Sequence, residues 1–198
     1  MCSSDLLHCL IWFEQSGVLH GDLTTAAVRL NDHGRVRLTS ACARRIRRPA
    51  SSIGQQLTLR DCEAAAPELA QAARQPDRRS ELYSLGCLLW QLLAGRPVII
   101  SADPVRRMIS QREHDVADIR GLVPECPEWL ARQIQTMTRR LPELRPDSAA
   151  DVLRHWDAPS GFSALRQIVR TLPESRKSAI QLAVPAFRSR SEEHTSEL

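Results

Sequence analysis

Apolar residues recur along the first part of the chain with the spacing of one helix face. They are Leu6, Leu7, Leu10, Ile11 and Phe13. This period of three to four residues predicts a helix over 3–16. Apolar and polar residues then alternate at Val36, Arg37 and Leu38, just after Gly34, which is the period of a strand. Residues 18–38 are therefore expected to form a loop and a β-hairpin.

The segment 80–94 differs from the first helix because it is apolar nearly all the way round. A helix with that pattern must be buried on every side. Gly95 follows it and Pro97 lies just beyond, which is the order of residues that ends many helices. We expect this helix to form the centre of the fold.

Further helices are predicted after this central one. Residues 103–120 and 127–140 show helical spacing, and Pro127 is expected to open the second of them. Asp147 and Ser148 are typical of a helix start, so residues 147–156 are expected to contain a capped helix. A short amphipathic helix is predicted over 163–172. The fold class is therefore mainly α with one small β-hairpin.

Composition and charge describe an ordinary globular chain with a basic balance. The chain has 198 residues, of which 42% are hydrophobic and 25% charged, and its formal net charge is +4. Arginine carries almost all of the positive charge, and its densest cluster is Arg44, Arg45, Arg47 and Arg48. Three interpretations of this cluster remain open: a solvated loop, a docking patch for an acidic partner or nucleic-acid phosphate, and a phosphorylation motif ending at Ser51. Because only 4% of the residues are aromatic, nucleic-acid binding by base stacking is not expected.

Six cysteines are scattered along the chain without metal-ligand spacing. We also find no signal peptide and no apolar run of about twenty residues. Scattered thiols in such a chain indicate a reduced, cytoplasmic setting and no membrane segment.

Four motifs follow one another in a familiar order. They are His20-Gly21-Asp22-Leu23, Ala66-Pro67-Glu68, the helix from Ser80 to Pro97, and Leu144-Arg145-Pro146-Asp147. Together they resemble the catalytic loop, the end of the activation segment, the central helix and the closing arginine of a protein kinase C-lobe. The resemblance covers roughly residues 3–157 and is closest to kinases of the serine/threonine type. It implies a predominantly helical C-lobe, with residues 41–65 as an activation-type loop.

The resemblance also assigns roles, and most of the chemical ones are lost. Asp22 stands at the position of the catalytic base. Thr24 replaces the lysine that meets the transferred phosphoryl group, which removes a positive charge. Ala27 replaces the asparagine that holds the second magnesium, and Ser40 replaces the main metal-binding aspartate. No metal ligand and no cofactor-binding residue is therefore expected at these positions.

The structural positions of the family are kept better than the chemical ones. His20 is expected to organise the catalytic loop. Glu81 replaces an aspartate that holds the backbone of this loop, and its extra methylene is expected to loosen the contact. Glu68 and Arg145 are expected to meet as a buried ion pair. The kept structural positions and the replaced catalytic positions together indicate a kinase-like fold that has lost most of its catalytic residues.

The resemblance divides the chain into three parts and suggests a main function. Residues 1–157 are expected to be a partial kinase domain, 158–189 a linker with a short helix, and 190–198 a translated sequencing adapter that does not belong to the fold. No glycine-rich loop or N-lobe is expected, because too few residues precede His20. The main hypothesis is a pseudokinase that binds a protein partner; the family consists of enzymes, but this chain is predicted to be inactive.

Two alternatives remain open. The chain is a fragment of a weakly active kinase that uses ATP and magnesium through Asp22, or it is an unrelated helical binding module with a basic loop. The second alternative does not require Glu68 and Arg145 to lie close together.

Overall fold

A computed structural model describes residues 3–30, 36–39, 59, 62–70 and 75–156. These residues contain five α-helices and one two-stranded antiparallel sheet. The elements are α1 (Ser3–Gln15), β1 (Val28–Leu30), β2 (Val36–Leu38), α2 (Arg78–Ala94), α3 (Pro104–Glu113), α4 (Glu128–Met137) and α5 (Ala149–Arg154). Short 3-10 turns lie at Thr25–Ala27, Pro67–Ala70, Ile119–Gly121 and Pro142–Leu144. The mainly helical fold with one small hairpin is the architecture that the sequence predicts.

Helix α2 forms the centre of the core, and both of its ends are specified locally. At its start, Asp77 accepts the Ser80 backbone N–H at 2.8 Å, and the Ser80 hydroxyl oxygen accepts the Asp77 backbone N–H at 2.9 Å. This reciprocal capping box satisfies two donors that a helix start leaves open. At its end, Gly95 has a φ of 68°, a left-handed conformation that glycine adopts at little cost. Helix α2 therefore begins two residues earlier than predicted and stops where predicted.

The first helix and the hairpin pack beside this centre. Leu6, Leu7 and Leu10 of α1 are all buried, as their spacing predicts. In the hairpin, Val28 pairs with Leu38 and Arg29 pairs with Arg37. Helix α1 contacts both β2 and α5. The helix that leads into the loop before β1 is therefore packed on two sides.

Helices α2 and α4 approach each other closely at Gly86. A Cβ atom built on Gly86 would lie 2.6 Å from Cγ2 of Thr138 and 3.1 Å from Cβ of Met137. A larger side chain at this crossing would require the side chains of Thr138 and Met137 to shift.

Three predicted helices are too long. Helix α3 ends at Glu113 instead of 120, because His114 takes an extended conformation with φ −128° and ψ 142°. Helix α4 starts after Pro127 and ends at Met137, where the Thr138 hydroxyl donates back to the Ile134 carbonyl at 2.9 Å. The last helix, α5, covers only Ala149–Arg154. Each end is set by a local hydrogen bond or backbone turn that the apolar spacing does not contain.

Several predictions fall outside the described residues. They concern Ser40, the arginine cluster at 44–48, Ser51, the helix at 163–172 and the segment 190–198. Within the residues that the structure describes, no helix is both long and apolar enough to span a bilayer.

Candidate functional site

The loop between α1 and β1 turns sharply at two glycines. Gly17 has a φ of 67° and Gly21 a φ of 73°. Residues with a side chain rarely adopt this left-handed conformation, whereas glycine does so freely. Gly21 thus fits a backbone conformation between His20 and Asp22 that a residue with a side chain would adopt only under strain.

The ring of His20 organises this loop from inside the protein. It is fully buried; its Nε2 lies 3.1 Å from the Thr39 carbonyl oxygen, and its Nδ1 lies 3.4 Å from the Asp22 backbone nitrogen. Because a carbonyl only accepts and a backbone N–H only donates, the proton belongs on Nε2. Burial lowers the pKa of His20, which keeps the ring neutral. The neutral ring ties the loop to Thr39, the residue before Ser40.

Glu81 of α2 holds the same loop through its backbone. Its Oε1 accepts the Gly21 N–H at 2.6 Å. The side chain is almost completely buried, and this burial raises its pKa to about 7. The extra methylene relative to aspartate therefore does not prevent a short contact, contrary to the expected loosening.

The three positions tied to phosphate chemistry lie in different surroundings. Asp22 is half-buried on the turn. Thr24 is buried, and no hydrogen-bond partner of its hydroxyl occurs in the described structure. Ala27 is fully buried, and its carbonyl accepts both the N–H and the hydroxyl of Thr39, at 2.8 and 3.2 Å. The side chain of Ala27 thus belongs to the packed core and offers no oxygen to a cation.

Glu68 and Arg145 form a bidentate ion pair inside the protein. Nη1 of Arg145 lies 2.7 Å from Oε1 of Glu68, and Nη2 lies 2.9 Å from Oε2. The two side chains are only 0% and 8% exposed. The guanidinium also donates to three backbone carbonyls and lies 4.8 Å from the ring of Tyr83. The structure thus joins two residues 77 positions apart, as the kinase resemblance requires and an unrelated helical module does not.

Other side chains hold the segment 62–70, and the sequence analysis missed them. The Ser84 hydroxyl donates to the Ala64 carbonyl at 2.7 Å, and the Gln111 amide donates to the Cys62 carbonyl at 3.0 Å. Ser84 is a polar residue within the mainly apolar part of α2, and Gln111 is buried on α3. A polar residue on a buried helix face is the pattern that could have pointed to them.

A further contact links α1, the helix before the loop, to α5 near the end of the described residues. Glu14, at the end of α1, accepts the Ala149 backbone N–H at 3.0 Å. The Ser148 hydroxyl oxygen accepts the Asp151 backbone N–H at 3.1 Å and so caps the start of α5. Helix α5 is therefore anchored directly to the helix that precedes the loop.

The described residues contain no group of three or more His, Cys, Asp or Glu side chains placed to hold a metal ion. Asp22 is the one carboxylate on the 20–27 loop itself. The residues that the structure describes can hold and orient backbone here, but they present little charge to a phosphate.

Comparisons with known proteins point to one family. No protein-family model matches the chain. The chain is 29% identical over 148 residues to the DNA damage-responsive serine/threonine-protein kinase RqkA of Deinococcus radiodurans, and 25% identical over 136 residues to the probable serine/threonine-protein kinase pknA2 of Bifidobacterium longum. It is also 27% identical over 177 residues to the serine/threonine-protein kinase PknB of Mycolicibacterium smegmatis.

These matches cover 71%, 69% and 85% of the chain. The chain in turn spans only 21%, 18% and 28% of the length of those three proteins. The similarity therefore concerns one region of much longer relatives.

Proposed function

The chain is related to the protein kinase superfamily, and we propose that residues 1–157 are a kinase C-lobe that binds a protein partner and does not transfer phosphate. The observation that carries this proposal is the packing of Ala27. Its methyl group is fully buried, and a methyl group offers no oxygen to a hard cation such as magnesium. This burial supports the proposal that position 27 does not act as a metal ligand.

The electrostatics of the loop support the same proposal. Phosphoryl transfer depends almost entirely on positioning and on stabilising the developing negative charge. Thr24 and Ser40 are neutral where the family has a lysine and an aspartate, and Ala27 lacks the oxygen of the family's asparagine. Removing even one donor that stabilises a transition state costs an enzyme about 2.7–4 kcal/mol, so three such losses support the absence of phosphoryl transfer.

Binding is the activity that the remaining interactions favour. The contacts that support the fold are all formed, namely the Glu68–Arg145 ion pair and the Glu81 hydrogen bond to Gly21. A domain that keeps these structural contacts but lacks the charged catalytic groups is suited to present a surface for binding. We expect the partner to be a protein. The cysteines are scattered along the chain, which favours a cytoplasmic setting.

A second candidate function is weak kinase activity through Asp22. Its carboxylate sits on a turn that His20 and Glu81 hold in place, so a base could still be positioned there. This candidate requires ATP and a magnesium ion held by an unusual ligand set, together with an N-lobe outside the residues described.

Nucleotide binding by thermal shift separates the two candidates. The measurement uses the full-length gene product, whose 5′ end is fixed by sequencing, with ATP and either magnesium or manganese. Ligand at one hundred times its Kd would stabilise the fold by about 2.7 kcal/mol. For a domain of this size, that is a rise in Tm of roughly 5–10 °C.

We expect no rise in Tm for this protein, and a clear rise for a related kinase with intact metal ligands as the positive control. A metal-dependent rise would overturn the proposed loss of nucleotide binding. Phosphate transfer that disappears in an Asp22→Asn variant would then establish the second candidate.

A further inference from the structure

Glu81 is a buried carboxylate with an unusual set of neighbours. Its side chain lies on the first turns of α2 and is only 5% exposed. Its Oε1 accepts the Gly21 N–H at 2.6 Å. Among the described residues, no cation forms an ion pair with it. A backbone N–H, and not a cation, therefore faces this buried carboxylate.

A second carboxylate lies close enough to act on this one. Glu14, at the end of α1, is half-buried and accepts the Ala149 N–H of α5. Its negative charge disfavours the ionised form of Glu81. The other ionisable groups on the surrounding elements have partners of their own in the described structure, and these groups are His20, Asp22, Asp77, Arg79, Asp147 and Asp151.

Burial and a neighbouring like charge both favour proton uptake by a carboxylate. In agreement with this geometry, the pKa of Glu81 is raised to about 7, with burial as the largest cause. A protonated carboxyl is a weaker acceptor, because hydrogen bonds to an ionised oxygen are roughly twice as strong as neutral ones. The proton state of Glu81 therefore controls how firmly the turn is held.

We propose that Glu81 is a proton-responsive clasp on the turn at residues 20–22. Uptake of one proton from solvent forms an O–H bond on its carboxyl group and weakens the hydrogen bond to the amide of Gly21. The turn that carries Asp22 then loosens, while the rest of the core remains folded. This inference goes beyond the proposed function, because it concerns the turn itself and holds whether or not a partner or nucleotide binds.

The test is an NMR titration of the whole ¹⁵N-labelled chain between about pH 5.5 and 8.5. We expect the Gly21 amide proton to move upfield on acidification, with a midpoint near 7. Its protection against hydrogen exchange, corrected for intrinsic rates, should fall several-fold over the same range. Global stability should change in the opposite direction, because a raised carboxyl pKa means that acid favours the folded state. Opposite signs show that the turn opens locally and does not follow global unfolding.

Variants assign the effect to this carboxyl. Glu81→Gln should abolish the midpoint and leave the Gly21 amide poorly protected at every pH. Glu14→Gln should move the midpoint to lower pH, since it removes the like charge. Glu128→Gln, at an exposed ion pair with Arg132, should leave the titration unchanged. If Glu81→Gln does not fold, the ¹³C shift of the Glu81 carboxyl in the wild-type chain reports the same midpoint.

Two outcomes would overturn the proposal. One is a Gly21 amide that does not titrate over this range in a folded protein. The other is a titration that persists unchanged in Glu81→Gln, which would assign it to the ring of His20 instead.

Discussion

Replacing Arg145 by alanine should be among the most destabilising single changes in this domain. The guanidinium is 0% exposed, and it neutralises a Glu68 side chain that is only 8% exposed. Its removal leaves Glu68 as a buried charge without its cation, and such uncompensated charges cost about 3–5 kcal/mol. The substitution also removes donors from the backbone carbonyls of Arg79, Arg139 and Arg140.

Each lost carbonyl contact adds about 1 kcal/mol at most, and these terms are not strictly additive. We therefore expect a total loss of about 4–6 kcal/mol for Arg145→Ala, out of a total stability of about 5–15 kcal/mol for a domain. Glu68→Gln should cost somewhat less, about 3–4 kcal/mol, because it leaves the buried guanidinium of Arg145 without its anion. The guanidinium keeps one acceptor on the new side chain and its three backbone carbonyls.

The assay is urea unfolding followed by far-UV circular dichroism, with the m-value checked in each variant. Arg132→Ala is the matched control, because Arg132 and Glu128 form an ion pair whose side chains are 73% and 68% exposed. An exposed pair of this kind contributes about 0.5 kcal/mol or less. A loss for Arg145→Ala no larger than that of the control would refute the reasoning, since burial would then have no energetic consequence here. If Arg145→Ala does not fold, Glu68→Gln carries the comparison.

Two further predictions concern pH and packing. The pKa of Glu81 rises from 4.5 to about 7 on folding, so its contribution is fully present below pH 4.5 and is lost as the pH rises through 7. The stability of the wild type relative to Glu81→Gln should therefore fall by up to about 3 kcal/mol between about pH 5 and 8, and a pH-independent difference in urea unfolding would contradict this. Gly86→Ala should lower the Tm, because overpacking against Thr138 costs about 1–3 kcal/mol and the helix-propensity gain of about 1 kcal/mol offsets only part of it, which leaves a net loss of up to about 2 kcal/mol. Gly121→Ala, where a new Cβ meets nothing within 4 Å, is its control, and equal melting temperatures for the two variants would count against the close approach.

The helices were predictable where one physical property dominates. Helix α1 was expected over 3–16 and is observed over Ser3–Gln15, because its apolar face has a regular period. The helix expected over 103–120 fails for the opposite reason. Val116 and Ile119 are buried and continue the apolar pattern, but they lie outside the helix that ends at Glu113. Burial alone does not distinguish a helix from a folded connection.

The contacts of the site divide in the same way. The Glu68–Arg145 contact follows from two motifs whose order and spacing are informative. The contact between Glu14 and Ala149 does not, because a glutamate near a helix end is ordinary and its partner lies 135 positions away. Contacts made by common polar residues across long separations depend on the folded geometry and leave no pattern in the sequence.

In the loop at 20–27, the interactions that hold the backbone are distinct from those that its own side chains make. Glu81 and His20 hold the loop through backbone atoms, so these interactions survive changes of the side chains at 24 and 27. A polar side chain at position 27 would be buried and would need a partner, and an unsatisfied buried polar group costs about 1–3 kcal/mol. Ala27 needs none. Alanine therefore suits this buried position without requiring a hydrogen-bond partner.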